Sequence, residues 1–595
     1  MRWAHAQAIV VSMHPFHESH AAEPDSQPDS QPDSAGFPRA GRRPWWRSTG
    51  GLGVVLTVVL YLGVYSRSVG FAFVWDDFGS LVNNERMRGP LRDVLRKGEH
   101  ARLSADYENL PKDLVPRHES YRPVSVLSHW IDLRLFGTNA GAMHIHSLLL
   151  GLLSIVLVYA LSLRLGLVPW LPALWALHPL HVEVFAYVSA RSDLLAGILS
   201  LAALCAALTA SRHDRVRQVI GWSSIAFVLQ LISLFAKESN LTLPFAFVFL
   251  LLAAGRPRRV LVPTLGLVLT ILAYFPIRRL LMDHTALQMT QQQSVVRACV
   301  DTPGVVLAHL TSMVWPVDLS PDRLFPAAYT VVGWGILLLL AGVVPWVWRC
   351  SRHDARGSLA LVFSGLAGAG CLSLPAALGV RSIGALADRY AFLSLLFLGI
   401  ALIGMARLVL GKLTGRLRTF AAGAFASWGA IAFFITSIQI GMWRNDATLA
   451  DAALASDPEN SAALYRASVE ATTRGDSADA VQLLEHSLRS DPNNRRALNN
   501  LAVIYLNVGR LNDAKSTLRR LLLVASETDW KAWYNLAEIQ LAEGHPERAC
   551  SAASRALSIN RGYALALQFK EKHCQPTSPA ESAASGIPIV KKARP

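Results

Sequence analysis

The chain reads as an all-α polytopic membrane protein of about eleven transmembrane helices followed by a C-terminal α-solenoid. Three observations predict this. Hydrophobic residues make up 52% of the 595 positions and charged residues only 17%, with the apolar residues gathered in long runs, as bilayer-spanning segments require. Short arginine clusters alternate with those runs, the pattern that encodes membrane topology. After Ile440 the composition turns soluble and self-similar. The formal charge of +15 would suit nucleic acid, but scattered arginines make no basic patch, so no nucleic-acid partner is expected.

Residues 1–45 are expected to form a disordered cytoplasmic tail. Residues 5–12 are too short and weakly apolar for a signal peptide. Pro24 to Ser34, "PDSQPDSQPDS", cannot bury a core, and Met13 is an alternative start. The membrane domain then runs over 46–445. Its spans are expected near 51–68, 143–163, 166–181, 192–210, 219–236, 240–255, 260–280, 330–348, 358–378, 391–408 and 420–440. The third and fifth are short enough to be tilted, broken or re-entrant. Arg39, Arg42, Arg43 and Arg47 precede the first span. Arg212, Arg215 and Arg217 follow the fourth, Arg256, Arg258 and Arg259 the sixth, Arg349, Arg352 and Arg356 the eighth, and Lys412, Arg416 and Arg418 the tenth. This count puts all of them on one side, the cytoplasmic one. The loop from about 69 to 142 and the chain beyond the last span then face outward.

Residues 446–565 repeat with a period of 34 to 35: Gly475, Gly509 and Gly544 recur, as do Ala480, Ala514 and Ala549. This is the tetratricopeptide (TPR) spacing, with small residues between paired helices and glycine at the turn. Three repeats are expected over about 461–563, after a half-repeat helix, and 566–595 as a disordered tail. Such arrays hold extended peptides in a concave groove. Asn500 and Asn535 occupy equivalent positions, where amides hold a peptide backbone or are simply solvated. Leu498, Tyr505 and Trp533 sit where repeat helices pack. None of the six cysteines forms a CxxC, and the spacing of Cys550 and Cys574 leaves their pairing open.

The chemistry-bearing residues fall at the outer boundary. "FVWDDFGSLVNN" places Asp76 and Asp77 among aromatics just after the first span. "SYRPVSVLSHWIDLRLFG" reads as an amphipathic interfacial helix led by Arg122. "HPLHVEVFAYVSARSDLL" brings His178, His181, Glu183, Arg191 and Asp193; "AKES" brings Lys237 and Glu238; "ALADRY" brings Asp388, Arg389 and Tyr390. Ionisable groups at a membrane boundary are costly unless paired or lining a wet cavity. A carboxylate there suits general-base work, and the cations suit a phosphate leaving group. The blander alternatives are snorkelling for Arg191 and Lys237, pairing of Glu183 and Asp193 with Arg191, and a hydrogen-bonded loop for His178 and His181, which Pro179 separates.

In this order the motifs, continued by "MWRNDATLADAALASDPEN" into the repeats, resemble the transmembrane and TPR-containing O-mannosyltransferases (the TMTC family) and their bacterial relatives. The resemblance covers about residues 50 to 565. It implies a GT-C fold and an inverting membrane glycosyltransferase. The donor would be a polyprenyl-phosphate-linked, mannose-like sugar and the acceptor a protein hydroxyl on the extracytoplasmic side, with membrane lipids as surroundings and acceptor or partner in the TPR groove. The family's catalytic acidic pair maps to Asp76 and Asp77, with Asp76 as base and Asp77 orienting the acceptor or holding a divalent metal. Its donor-phosphate residues map to Arg122, Arg191, Lys237 and Arg389, supported by His178, His181, Glu183, Asp193, Glu238 and Asp388. "ADRYAFLSLL" departs from the family's "LYLPS" ending. The Arg/Pro-rich composition favours a bacterial inner membrane with periplasmic repeats over an ER membrane with lumenal ones. Two other classes compete: a non-catalytic TPR scaffold, and a ligase or flippase of lipid-linked glycans.

Overall fold

The computed structural model describes residues 49–574 apart from 97–121, 169, 254–259, 282–294, 318, 320–322, 351–352, 384 and 526–528. The expected N-terminal tail and the arginines at 39, 42, 43, 47, 256, 258, 259 and 352 lie outside the described residues. Helices dominate what is described, with one two-residue β-pair, β1 (Arg323–Leu324) antiparallel to β2 (Ala385–Leu386).

The membrane part begins with α1 (Thr49–Tyr65), a short α2 (Leu91–Arg96), α3 (Pro123–Phe136) and α4 (Ala140–Leu165). Asn139 caps α4 by accepting from the Ala142 amide at 3.0 Å, and Gly166 ends it in the left-handed conformation. The chain then breaks into α5 (Leu171–Ala176), a 3₁₀ turn (Pro179–His181), α6 (Val182–Ala186) and a second 3₁₀ turn (Val188–Ala190). Longer helices follow: α7 (Arg191–Ala210), α8 (Val216–Ala236), α9 (Leu243–Ala253), α10 (Leu261–Leu281), α11 (Val295–Val314), α12 (Ala327–Cys350), α13 (His353–Ile383), α14 (Phe392–Leu410) and α15 (Gly415–Gln439).

Among the described residues eight helices are long and apolar enough to cross a membrane; Glu238–Leu251 and Ala327–Ala341 are shorter apolar stretches. The expected third span at 166–181 is not a helix. Pro172 and Pro179 remove backbone donors and crowd the preceding turn, leaving a six-residue α5, about 9 Å of helix against a 30 Å core. The segment nevertheless joins the two ends of the bundle. At one end Arg407 Nη2 donates to the Gly166 carbonyl at 2.9 Å and Arg164 Nε to Thr209 Oγ1 at 3.2 Å. At the other, Tyr187 and Ser189 touch the Asp76–Asp77 loop. Buried carbonyls of the break are satisfied from side chains: Thr436 Oγ1 donates to Leu177 O at 2.7 Å, and His181 Nδ1 lies 2.6 Å from Trp175 O.

Two further differences concern α3 and α11. The α3 sequence was expected to lie along the interface with its polar side wet. Instead Ser125, His129 and Asp132 are buried, while Ile131, Leu135 and Phe136 are exposed. Its polar side faces protein because Asp132 finds a cation there. Helix α11 lies in a stretch expected to be a loop, since Arg297, Asp301 and Pro303 interrupt its apolar pattern. It packs closely on α12: a Cβ on Gly333 would lie 2.6 Å from the Pro303 carbonyl carbon, the small-residue approach used between helices in lipid. Exposed Leu52, Leu56, Ile220, Val228, Leu272 and Leu338 give the bundle an apolar outer surface.

The soluble arm follows through a 3₁₀ turn (Ile440–Arg444) and α16 (Asp446–Ser456), started by a capping box between Asn445 and Thr448. Three helix pairs make the repeats: α17 (Ser461–Thr473) with α18 (Ser477–Ser490), α19 (Arg495–Asn507) with α20 (Leu511–Val524), and α21 (Trp530–Ala542) with α22 (Pro546–Ile559). Gly475, Gly509 and Gly544 hold φ of 83°, 77° and 80° at the intervening turns, where other residues would be strained. A capping helix, α23 (Ala564–His573), follows. The tail expected to be disordered from 566 is therefore helical through His573, because Phe569 packs into the repeat core and Cys574 is bonded to Cys550.

Candidate active site

The loop carrying Asp76 and Asp77 is built from α1 outward. Ser68 Oγ bonds back to Tyr65 O, closing a 3₁₀ turn beyond the helix. The Ala72 amide then donates to Arg444 O at 3.0 Å, tying the loop to the start of the soluble arm. A tight turn follows, closed from both sides. The Asp77 amide donates to Val74 O at 3.0 Å, and the Val74 amide donates to Asp77 Oδ2 at 3.2 Å. Trp75 sits in the turn at φ 52°, the only described non-glycine residue with positive φ. A bulky residue held there costs on the order of 1–3 kcal/mol and persists only where surroundings enforce it.

Asp76 and Asp77 therefore occupy different environments. Asp77 is wholly buried. Besides the Val74 amide, its carboxylate accepts from the Ser189 amide at 2.9 Å and Ser189 Oγ at 2.5 Å. Burial pushes its pKa up to about 7 against these bonds, with Asp76 adding to the rise. Asp76 is exposed. Its amide donates to Tyr187 Oη and its carbonyl accepts from Ser80 Oγ, so backbone contacts fix its position while its carboxylate is left to solvent. Of the surrounding aromatics, Phe73 is buried and Trp75 half-buried, while Phe78 is exposed.

Every expected cation at this end is paired with a carboxylate. Arg122 grips Glu238 through Nε and Nη2 at 3.1 and 2.7 Å. Lys237 bonds both oxygens of Asp193 at 2.6 and 2.7 Å and lies over the Tyr390 ring. Arg389 pairs with Glu183 through Nη1 and through its own amide at 2.8 Å. Arg191 is fully buried against Asp132, Met143 O and Ser147 Oγ. Glu183 and Asp193, expected to pair with Arg191 if structural, instead hold Arg389 and Lys237. Asp132 takes Arg191 and also bonds His146 Nδ1 at 2.7 Å.

Two clefts open among these groups. One of about 360 Å³ is edged by Asp193, Ser239, Asn240, Arg389 and Tyr390. Another of about 240 Å³ is edged by Glu183, Asp388 and Trp443. His178 and His181 reach neither. His178 Nδ1 accepts from the Leu180 amide, so its Nε2 donates to Met313 O at 2.9 Å. His181 lies between the carbonyls of Trp175 and Phe392. Both brace the broken crossing. Among the described residues no three His, Cys, Asp or Glu side chains are grouped to hold a metal ion.

Sequence reading passed over Tyr187, Ser189, Asp132, Asp446 and Arg466. The first four stand inside the motifs, but nothing in the spacing marks their partners. Asp446 Oδ1 accepts from the Trp75 amide at 2.9 Å, and the Arg466 guanidinium lies 4.3 Å from the Trp75 ring centroid. In the repeats, Asn535 Nδ2 donates to Asn499 Oδ1 at 3.0 Å, and Asn499 in turn approaches Asn500. The two expected peptide-holding amides are thus linked through Asn499.

The tetratricopeptide repeat family matches residues 471–532 and again 531–563. A Caenorhabditis elegans protein O-mannosyl-transferase is 29% identical over 211 residues, 34% of this chain and 28% of its own length. The human protein O-mannosyl-transferase TMTC1 is 33% identical over 152 residues, 23% of this chain and 16% of its own. A Drosophila melanogaster protein O-mannosyl-transferase is 29% identical over 196 residues, covering 31% and 21%. The matches thus span less than a third of the length of these relatives. Among solved structures, ArnT from Cupriavidus metallidurans bound to undecaprenyl phosphate aligns with 85% of this chain and 80% of its own at a TM-score of 0.36 and 18% identity. The chain's curated homologues are protein O-mannosyl-transferases.

Proposed function

We propose that this chain is an inverting membrane glycosyltransferase that moves a mannose-like sugar from a polyprenyl-phosphate carrier to a protein hydroxyl. The observation that carries the reading is the asymmetry of the acidic pair. Asp77 spends its carboxylate on the turn and on Ser189, and the same turn presents Asp76 to solvent. The acceptor oxygen attacks the anomeric carbon, and its proton passes to the Asp76 carboxylate. The bond from that carbon to the phosphate oxygen breaks, and the carrier phosphate leaves with the electron pair. Charge growing on the phosphate needs donors. Arg389 borders the larger cleft, and its ion pair with Glu183 engages Nη1, leaving Nε and Nη2 to donate. Lys237, held by both oxygens of Asp193 with its ammonium over the Tyr390 ring, contributes an oriented ion pair rather than net positive charge. Arg191, enclosed by Asp132, acts as a brace rather than a phosphate ligand.

The homologues named as protein O-mannosyl-transferases support this reading, as does the presence of the repeats, which supply a surface for a protein acceptor or partner. The arginines support the expected sidedness. Arg164, Arg212 and Arg407 gather at the end opposite Asp76, and clustered positive charge favours the cytoplasmic side. The test is glycoproteomic. Loss of the gene should remove a set of O-linked hexose glycopeptides from extracytoplasmic proteins. Restoring the wild type should return them, whereas Asp76→Asn should cut occupancy about 10²-fold at equal expression. Unchanged glycopeptides would sink the reading in favour of a scaffold.

A further inference from the structure

Trp75 carries a strained backbone in the one turn that sets the direction of Asp76, and the restraint does not come from the membrane part alone. Its amide is held by Asp446 Oδ1 at 2.9 Å, across 371 residues of sequence. Its indole is packed on one side by Arg466, with the guanidinium carbon 4.3 Å from the ring centroid. Edge-on contacts come from Tyr187 and Trp443 at 5.9 and 5.4 Å, and these two rings stack on each other at 5.1 Å. Tyr187 Oη in turn accepts from the Asp76 amide. Asp446 opens α16 and Arg466 lies on α17, the first helix of the repeats. The amide bond and the ring contacts add to the Val74–Asp77 bonds that close the turn, and together they oppose the relaxation of Trp75 toward φ below zero, which would turn the following peptide and swing Asp76 away.

We propose that Asp446 and Arg466 are positioning residues for the transfer reaction: the soluble arm holds the Trp75 turn and thereby aims the Asp76 carboxylate. This rests on the glycosyltransferase reading above. It gives the repeats a second task besides any capture of acceptor, since motion of α17 is transmitted to the base through Arg466 and Trp75. Asp446 acts as a hydrogen-bond acceptor, so its charge is dispensable. Arg466 acts through its flat guanidinium, which a lysine does not reproduce.

The experiment uses the full chain in detergent micelles and two readouts. Hydrogen exchange of peptides covering residues 72–80 should rise at least tenfold in Asp446→Ala and stay within about twofold of wild type in Asp446→Asn. Transfer is measured from synthetic polyprenyl-phosphate mannose to an acceptor peptide drawn from the glycopeptides of the expressing cell. Asp446→Ala and Arg466→Ala should each lower kcat about tenfold while leaving the KM for the donor within twofold, and Asp446→Asn should restore kcat. In an Asp76→Asn background, Asp446→Ala should cost nothing further, because there is no base left to aim. Unchanged exchange in Asp446→Ala would overturn the proposal. So would raised exchange with full transfer while Asp76→Asn is inactive. If Asp76→Asn itself transfers like wild type, the reading of Asp76 as base falls and the aiming role with it, a failure told apart by the exchange data. A variant that fails to fold shows loss of exchange protection throughout, and Arg466→Ala then decides the matter: a tenfold loss of kcat at unchanged donor KM supports the aiming role, and full transfer overturns it.

Discussion

Two adjacent aspartates separated by one peptide bond do opposite things. Asp77 is a buried acid whose pKa is raised to about 7 from 3.8, so the folded protein holds a proton that the unfolded chain has already lost. The folded state binds more protons between those values, and stability falls as pH rises through this window, flattening above it. The full shift would correspond to a few kcal/mol at most. Asp77→Asn keeps an oxygen for the Ser189 amide and removes the titration. The difference in melting temperature, wild type minus Asp77→Asn, should therefore shrink steadily from pH 4 to pH 7 and level off beyond. A difference that grows with pH would mean that the buried carboxylate is stabilised as the anion. The pair stood out in the sequence because two adjacent carboxylates beside a membrane span showed no partner in local spacing. Its division of labour was not, since burial and the approach of Ser189 over 112 residues leave no trace in local spacing.

At the scale of elements, regular helices and repeats were readable and the irregular crossing was not. Period and glycine placement gave the three TPR pairs, because each repeat must present the same faces to its neighbours. Residues 166–190 have the hydropathy of a span, but prolines break them into pieces whose carbonyls need side-chain donors from distant helices. Thr436 on α15 is one such donor, reaching Leu177 O at 2.7 Å. Thr436→Val, nearly isosteric, should cost about 1–3 kcal/mol by stranding that carbonyl in the bundle. Thermal unfolding in detergent reads this, and Thr436→Ser should recover most of the loss. A neutral Thr436→Val would mean that other groups satisfy the carbonyl. Residues 295–314 were missed for the opposite reason: their charges and Pro303 hid a helix that tertiary packing supports.

For the whole molecule the decisive question is which side the soluble arm occupies. The gathering of acidic and basic motifs at one end was foreseeable from topology alone; the ion-pair assignments within it were not, because any of several carboxylates stood within reach in sequence. The disulfide between Cys550 and Cys574, which pins α23 to α22, fits an oxidising compartment. A single cysteine introduced at exposed Arg496 on α19 should react with a membrane-impermeant maleimide in intact spheroplasts as fast as after permeabilisation. Protection until permeabilisation would place the repeats in the cytoplasm and take Asp76 with them.

The broken crossing also constrains how the protein is made. The insertion machinery sorts segments by how well each partitions into lipid, and a helix of six residues followed by exposed carbonyls has little claim to enter. Residues 166–190 must then wait at the channel until α4 and α7 flank them and α14 and α15, more than 200 residues later, bring Phe392 and Thr436 to their polar atoms. Until synthesis has gone that far, the first half of the bundle is a client for membrane chaperones and quality-control proteases, and truncations ending before α14 should be degraded rather than accumulate.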